Sequence, residues 1–431
     1  AEFTARFPNV RHVVYDAVSC SAALDAFQNK YGTRALPDYD FSKAEVIVSV
    51  GADFLGDWQG GTYSKGYAKG RIPKNGKMSR HIQFEANLTL TGGKADKRIP
   101  ATPSQQVEIL KALTGGSTSG LPDNIADAVN KAKNQLQKAG SKALLVTNLP
   151  DLASQTLALD FNANSEALDA DKPLLIRQGS NTQVMEVVNG VISGSIKGLI
   201  TVGVDPVYSL PNAKEFAEGY QKLEMSLAFA MKQDATASLA KMVAATPHYL
   251  ESWGDAQIKK GTYSLTQPTI RPLFNTRQFQ DSILQWSGNP QNYYDYIKET
   301  WSTSVLGGGS WNQALHDGFV VSDAEVTMEA NAATEGTGTL AESTSNGALS
   351  FLSQEGGYDL TLYTSTGLGD GQQANNPWLQ EFPDPITRAS WDNYLSVSKA
   401  DAEALGLVNK HVSNGALNGS YVNIKSGNIA L

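Results

Sequence analysis

The strongest constraint on this chain is a short apolar run of strand length that recurs along it. Ala44 to Gly51 (AEVIVSVG), Lys142 to Asn148 (KALLVTN) and Gly198 to Pro206 (GLITVGVDP) are rich in Val, Ile and Leu, and the first and last run into glycine. A strand that is apolar on successive residues has both faces of its pleat hidden from water, as in a parallel sheet covered by helices. Helical patterns separate the runs. Ser21 to Tyr31 places Leu24, Phe27 and Tyr31 at helical spacing and closes on Gly32. Pro122 to Ala139 sets Ile125, Ala128, Val129, Ala132 and Leu136 on one side and closes on Gly140. Ser104 to Leu113 reads as a further helix with Ser104 as N-cap and without a strong capping box.

The same pattern predicts a strand at His12 to Asp16, and hence a βαβ unit from Arg11 to Gly51. Further strands are expected at Leu174 to Arg177 and Met225 to Ala230. Helices are expected at Ser154 to Leu159, Thr182 to Gly190 and Lys214 to Lys222. Such alternation predicts an α/β fold with a doubly wound parallel sheet. Ala52 to Pro103 reads as a long loop-rich stretch, with Gly60-Gly61, Gly92-Gly93 and scattered Lys and Arg. Residues 307–350 are poor in bulky apolar groups from Ala330 to Ala348 and read as loop or linker. Beyond them Tyr358 to Thr364, Leu395 to Ser398 and Tyr421 to Ile424 alternate like strands around a short helix, Lys399 to Leu405, which predicts a small β-barrel-like tail.

Composition narrows the chemistry. With 35 Lys+Arg against 43 Asp+Glu the net charge is −8. No basic run exists to neutralise phosphates, which argues against nucleic acid as a partner. One cysteine, Cys20, excludes an internal disulfide and a Cys-held iron–sulfur or zinc site on this chain alone. No run approaches the roughly 20 apolar residues of a membrane helix. No signal peptide is visible, which says nothing about compartment.

Few residues stand out for chemistry. Gly51-Ala52-Asp53 and Gly203-Val204-Asp205 both end predicted parallel strands with an acid two residues past a glycine. Carboxyl ends of parallel strands are where doubly wound sheets bind nucleotides, and an Asp there can accept from ribose or guanine. A tight turn explains the same residues more simply, since neither a G-x-G-x-x-G nor a Walker loop is present. The histidines, His12, His81, His248, His316 and His411, form no metal-binding pair. Arg80 to Glu85 (RHIQFE) reads as an acid–base site or, with no nucleophile beside it, as a salt-bridged loop anchor. Cys20, just before a helix, is either a thiol with a lowered pKa or inert packing. The aromatics of His248 to Asp255 suit either an interface or a pocket.

Several longer segments together resemble one family. These are Asp40 to Phe54, Met78 to Glu85, Gly203 to Pro206 with Leu210 to Asn212, His248 to Asp255, Gln267 to Gln278, and Asn375 to Pro385 with Trp391 to Tyr394. Spread from Arg11 to Gly427, they resemble the molybdopterin-oxidoreductase-like half of the B subunit of bacterial alternative complex III. The resemblance implies two Rossmann-like lobes and a C-terminal β-barrel-like domain. Residues 1–113 would form the first lobe, completed by 256–306, and residues 114–255 the second. The linker would be 307–350, and 351–431 the barrel-like domain, truncated at its C-terminal end. Gly51 to Asp53 and Gly203 to Pro206 would lie where the superfamily binds two guanine-nucleotide ends, and Ala402 to Leu407 would match the barrel's small helix.

The departures decide the functional expectation. Cys20 lies in no cluster motif, and the family's respiratory members are expected to have lost the molybdenum cofactor. No catalytic, cofactor-binding or metal-binding residue is therefore assigned, and no cofactor is expected in this chain. Iron–sulfur clusters would lie in a ferredoxin-like continuation of the subunit and c-type haems in partner subunits. Integral membrane quinol-oxidising subunits would complete the assembly, with this chain peripheral on the periplasmic side of the inner membrane. The loops of Ala52 to Pro103 and Ala330 to Ala348 would carry partner contacts, and a large inter-lobe pocket would remain. Two other readings stay open: an active molybdopterin-dependent oxidoreductase, and a two-lobed periplasmic ligand-binding protein.

Overall fold

The computed structural model describes residues 2–61, 63–322, 357–391, 393–412, 417–426 and 429–430. Its strands in chain order are β1 (Leu36–Tyr39), β2 (Val46–Val50), β3 (Arg80–Glu85), β4 (Lys97–Pro100), β5 (Ala143–Thr147), β6 (Leu168–Leu174), β7 (Gly198–Val202) and β8 (Met225–Ala230). They continue with β9 (Met242–Ala245), β10 (Gly254–Lys259), β11 (Thr262–Thr266), β12 (Phe319–Val321), β13 (Asn409–His411), β14 (Leu417–Gly419), β15 (Lys425–Ser426) and β16 (Ile429–Ala430).

The predicted parallel strands form two sheets. The first has the order β4-β3-β2-β5 and the second β7-β8-β9, and every pairing in both is parallel. On one face of the first sheet Val48, Val50, Ile82 and Leu145 meet helices Pro103–Leu113 and Asp123–Ala139. The five residues placed on one side of the second helix, Ile125 to Leu136, are all buried. On the other face Ile47, Leu144 and Val146 pack under Phe41, Phe54, Trp58 and Tyr67. Helix Ser21–Tyr31 has its expected bounds and ends on Gly32 in the left-handed region. A third, five-stranded antiparallel sheet has the order β1-β6-β10-β11-β12 and draws on segments between residues 36 and 321. At one end of it, β11 and β12 pack on a separate core around Trp301, Trp311, Tyr263 and Ile297.

Several expectations need correction. His12–Asp16 is not a strand, because both edges of β2 are taken by β3 and β5, so the βαβ unit from Arg11 does not form. The stretch Ala52–Pro103 is rich in loops but is not loop throughout. It holds helix Ser64–Gly70, β3 and β4, hidden from pattern reading because His81, Gln83 and Glu85 give a buried strand a polar appearance. The next helix starts at Pro103 and has a capping box built from Thr102 and Gln105 rather than a weak cap at Ser104. Leu174 ends the antiparallel strand β6 instead of opening one. The boundary expected between residues 113 and 114 runs through the first sheet, since β5 is the neighbour of β2. Within the expected linker, Trp311–Asp317 is a helix and β12 a strand, with Trp311 anchored in the core. Ala330–Ala348 lies outside the described residues. In the tail, Tyr358–Thr364, Leu395–Ser398 and Tyr421–Ile424 carry no strand, since alternation without a paired partner does not fix one. The described tail residues instead carry helices Pro377–Glu381 and Lys399–Ala404 and the two-stranded ladders β13-β14 and β15-β16.

Candidate functional site

The two strand-end acids occupy matching positions. After β2 the chain turns through Gly51, at φ 72°, and after β7 through Gly203, at φ 62°. Each Asp then turns towards a buried threonine on a neighbouring segment. Asp53 Oδ1 accepts from Thr91 N at 2.9 Å and Thr91 Oγ1 at 2.6 Å. Asp205 Oδ1 accepts from Thr236 N at 2.9 Å and Thr236 Oγ1 at 2.6 Å, and its Oδ2 from Ala235 N at 3.2 Å. Each threonine hydroxyl in turn accepts the backbone N–H two residues after its Asp, Leu55 at 2.9 Å and Val207 at 3.0 Å. The clasp is therefore the same in both sheets. It satisfies loop amides that burial would otherwise leave unpaired.

The polar segment on β3 is buried. His81, Gln83 and Glu85 share one face because strand side chains alternate. Gln83 spends its amide N–H groups on Glu85 Oε2 at 3.1 Å and the Ala52 carbonyl at 3.3 Å. Its oxygen therefore faces His81 Nε2 at 3.2 Å, so that nitrogen carries the proton. His81 Nδ1 then lies 3.1 Å from the Tyr67 hydroxyl, which is also 3.1 Å from the Lys94 carbonyl. Burial pushes the His81 pKa down to about 4, so the ring is neutral at pH 7. Glu85 ends the ladder, taking Arg98 Nε at 2.5 Å and Thr89 Oγ1 at 2.6 Å. Of the two sequence readings, the salt-bridged anchor matches the geometry, though it is a strand and not a loop.

The other candidates disperse. Cys20 packs beside Leu24 and Leu36, and burial pushes its thiol pKa up, which keeps it protonated. His12 is held below its usual pKa, chiefly by burial. His248 caps a short turn, its Nδ1 accepting from Leu250 N at 3.3 Å. His316 is exposed beside Asp317, and His411 lies on β13. Among the described residues no three His, Cys, Asp or Glu side chains gather where they could hold a metal ion. Nor is any described helix long and apolar enough to cross a membrane.

A groove of about 450 Å³ is bordered by Asp38, Asp40, Lys43, Lys65, Lys69 and Glu166. Lys259 closes one side, bridging Asp38 Oδ2 at 2.5 Å and Asp169 Oδ2 at 3.1 Å. Its wall is mixed in charge, and pattern reading missed it because its residues come from four separate segments. It lies beside β1 and β6 and does not include Asp53 or Asp205.

The guanine-nucleotide ends implied by the family resemblance would need strand-end groups free to receive them. Asp53 and Asp205 are instead turned into their own lobes, so the residues present do not fit that role. No chemical step is derived through such a group.

No family model matches the chain, and no curated protein sequence matches it. Among solved structures, the fold is similar to that of acetylene hydratase from Pelobacter acetylenicus, with a TM-score of 0.52 and 10% identity. The match covers 70% of this chain and 55% of the hydratase chain. At that identity the likeness concerns the fold alone, and it spans little more than half of the hydratase's length. The chain has a mixed α/β architecture of molybdopterin-oxidoreductase-like type.

Proposed function

We propose that this chain is an extramembrane scaffold and docking subunit of a respiratory quinol:electron-acceptor oxidoreductase of the alternative complex III type. In this reading it sits on the periplasmic side of the inner membrane and carries no redox cofactor. Membrane quinol-oxidising subunits and c-type cytochromes are its partners, and iron–sulfur clusters lie in a ferredoxin-like continuation of the subunit. The observation that carries the reading is the inward commitment of Asp53 and Asp205 to Thr91 and Thr236. An acid used to hold its own lobe is not presented to a nucleotide. The segments that resemble the family's B subunit supply the assembly.

The test is metal and pterin analysis of the purified native assembly containing this chain. Iron without molybdenum or pterin is the expected result. Stoichiometric molybdenum with pterin would overturn the proposal and make the chain a working oxidoreductase.

A further inference from the structure

Two loops far apart in sequence meet on the surface and together expose a dense apolar patch. Phe274 is 78% exposed, Leu273 71%, Tyr249 64% and Ile270 45%. Backbone bonds fasten the loops: Thr269 N donates to the Leu250 carbonyl at 2.7 Å and Ile270 N to the same oxygen at 3.1 Å. Glu251 staples them further, Oε2 accepting from His248 N at 3.1 Å and Oε1 from Leu273 N at 3.3 Å. At the far end Arg277 N donates to the Ala245 carbonyl at 3.1 Å. The patch is thus held in place before anything binds, which removes part of the entropy cost of association.

Its charge is one-sided. Arg271 and Arg277 flank the apolar side chains, and among the described residues neither makes an ion pair. Arg277 Nη1 donates to the neutral Gln285 Oε1, at 3.1 Å. The nearby carboxylate, Glu251, is engaged by two backbone N–H groups. Exposed aromatic side chains beside arginines without an ion pair match the residue types enriched at protein-binding surfaces. Clustered exposed apolar groups on a soluble surface mark interaction sites.

We infer that Tyr249, Ile270, Leu273 and Phe274, with Arg271 and Arg277, form a docking surface for a partner protein that presents an apolar pocket rimmed by carboxylates. Charge selects this occupant. A second copy placed across a twofold axis would set arginine against arginine. An anionic lipid surface would attract the two arginines, but two fall short of the cluster of basic residues that such a surface selects, and the chain's net charge of −8 opposes it. The inference deepens the docking role proposed above and rests on that reading for the partner being a subunit of the same assembly.

The test replaces Phe274 with a photo-reactive phenylalanine analogue in the full-length chain, expressed in its native host. Illumination of the intact assembly is followed by mass spectrometry of the crosslinked peptides. A crosslink to a different protein, at an apolar segment with neighbouring Asp or Glu, is expected. The paired change R271E with R277E is expected to weaken co-purification of that protein at least about tenfold, as for hot-spot residues. Reversing the partner's crosslinked acids to Lys is expected to restore it. Because these side chains are exposed, circular dichroism of the variants should match the parent. Crosslinks only to lipid, only to a second copy, or to nothing would overturn the inference, as would retention unchanged in the double variant. If the chain still co-purifies with membrane subunits in that case, the scaffold reading stands while this surface falls. If the chain crosslinks an acidic partner but joins no membrane assembly, the reverse holds.

Discussion

Lowering the pH from 7 to 5 should destabilise the unit built on the first sheet, and His81 should be the cause. The ring is fully buried, and its pKa falls from the usual 6.5 to about 4. Between those values the unfolded chain takes up a proton that the folded chain does not, so stability is present above pH 6.5 and is lost as pH falls towards 4. Each pH unit across that window costs about 1.4 kcal/mol, so the drop to pH 5 removes about 2 kcal/mol. Urea unfolding at pH 7, 6 and 5, followed by near-ultraviolet circular dichroism and tryptophan fluorescence, measures it. Trp58 lies in the core on the same face of the sheet and reports on that unit. In His81→Gln the group cannot titrate. Its absolute stability falls, since Tyr67 and Gln83 lose a partner, but its slope between pH 7 and 5 should be shallower by about one proton. Parallel slopes for parent and variant would refute the buried neutral ring as the source of the pH dependence.

Thr91→Val and Thr236→Val should each cost about 3 kcal/mol, because each removes a charge-assisted bond to an Asp and orphans a backbone N–H; urea titration checks this, and a loss below about 0.5 kcal/mol would contradict the clasp. Gly92→Ala would bring a methyl group to 1.8 Å from Glu85 Oε1, a side chain held by Arg98 and Thr89, so a destabilisation of about 3 kcal/mol is expected in thermal melts. Cys20 should react with iodoacetamide at pH 7.5 at least about tenfold more slowly in the folded chain than after unfolding in urea, since burial keeps the thiol protonated. Equal rates would mean that the packing around it opens readily.

Legibility in the sequence followed the physics of burial. Val46–Val50 and Ala143–Thr147 announced themselves because a strand covered on both faces must be apolar throughout. The helix Asp123–Ala139 did so through its single apolar stripe. β3 did not, because its polar residues are satisfied by one another and by Tyr67, Thr89 and Arg98, partners that only the fold supplies. His12–Asp16 failed in the opposite sense: it has strand-forming residues, but the places on either side of β2 are taken by β3 and β5. At the strand ends the sequence pointed to Asp53 and Asp205, yet their orientation depended on Thr91 and Thr236, 38 and 31 residues away. The groove beside β1 draws on four distant segments, and no local pattern signals it.

The five-stranded antiparallel sheet has a consequence for how the chain is made. β1 ends at residue 39, β6 begins at residue 168, and β12 is complete only at residue 321. At roughly 5–20 residues per second, β1 leaves the ribosome about 6 to 26 s before β6 has been synthesised to receive it. Throughout that interval Leu36, fully buried in the finished protein, has no strand to cover it. The first parallel sheet, finished by residue 147, can close earlier, so a growing chain holds one completed sheet and one waiting strand. A chaperone that binds the nascent chain would find its substrate in that strand, and truncations that end before residue 168 should be the least soluble of any nested series.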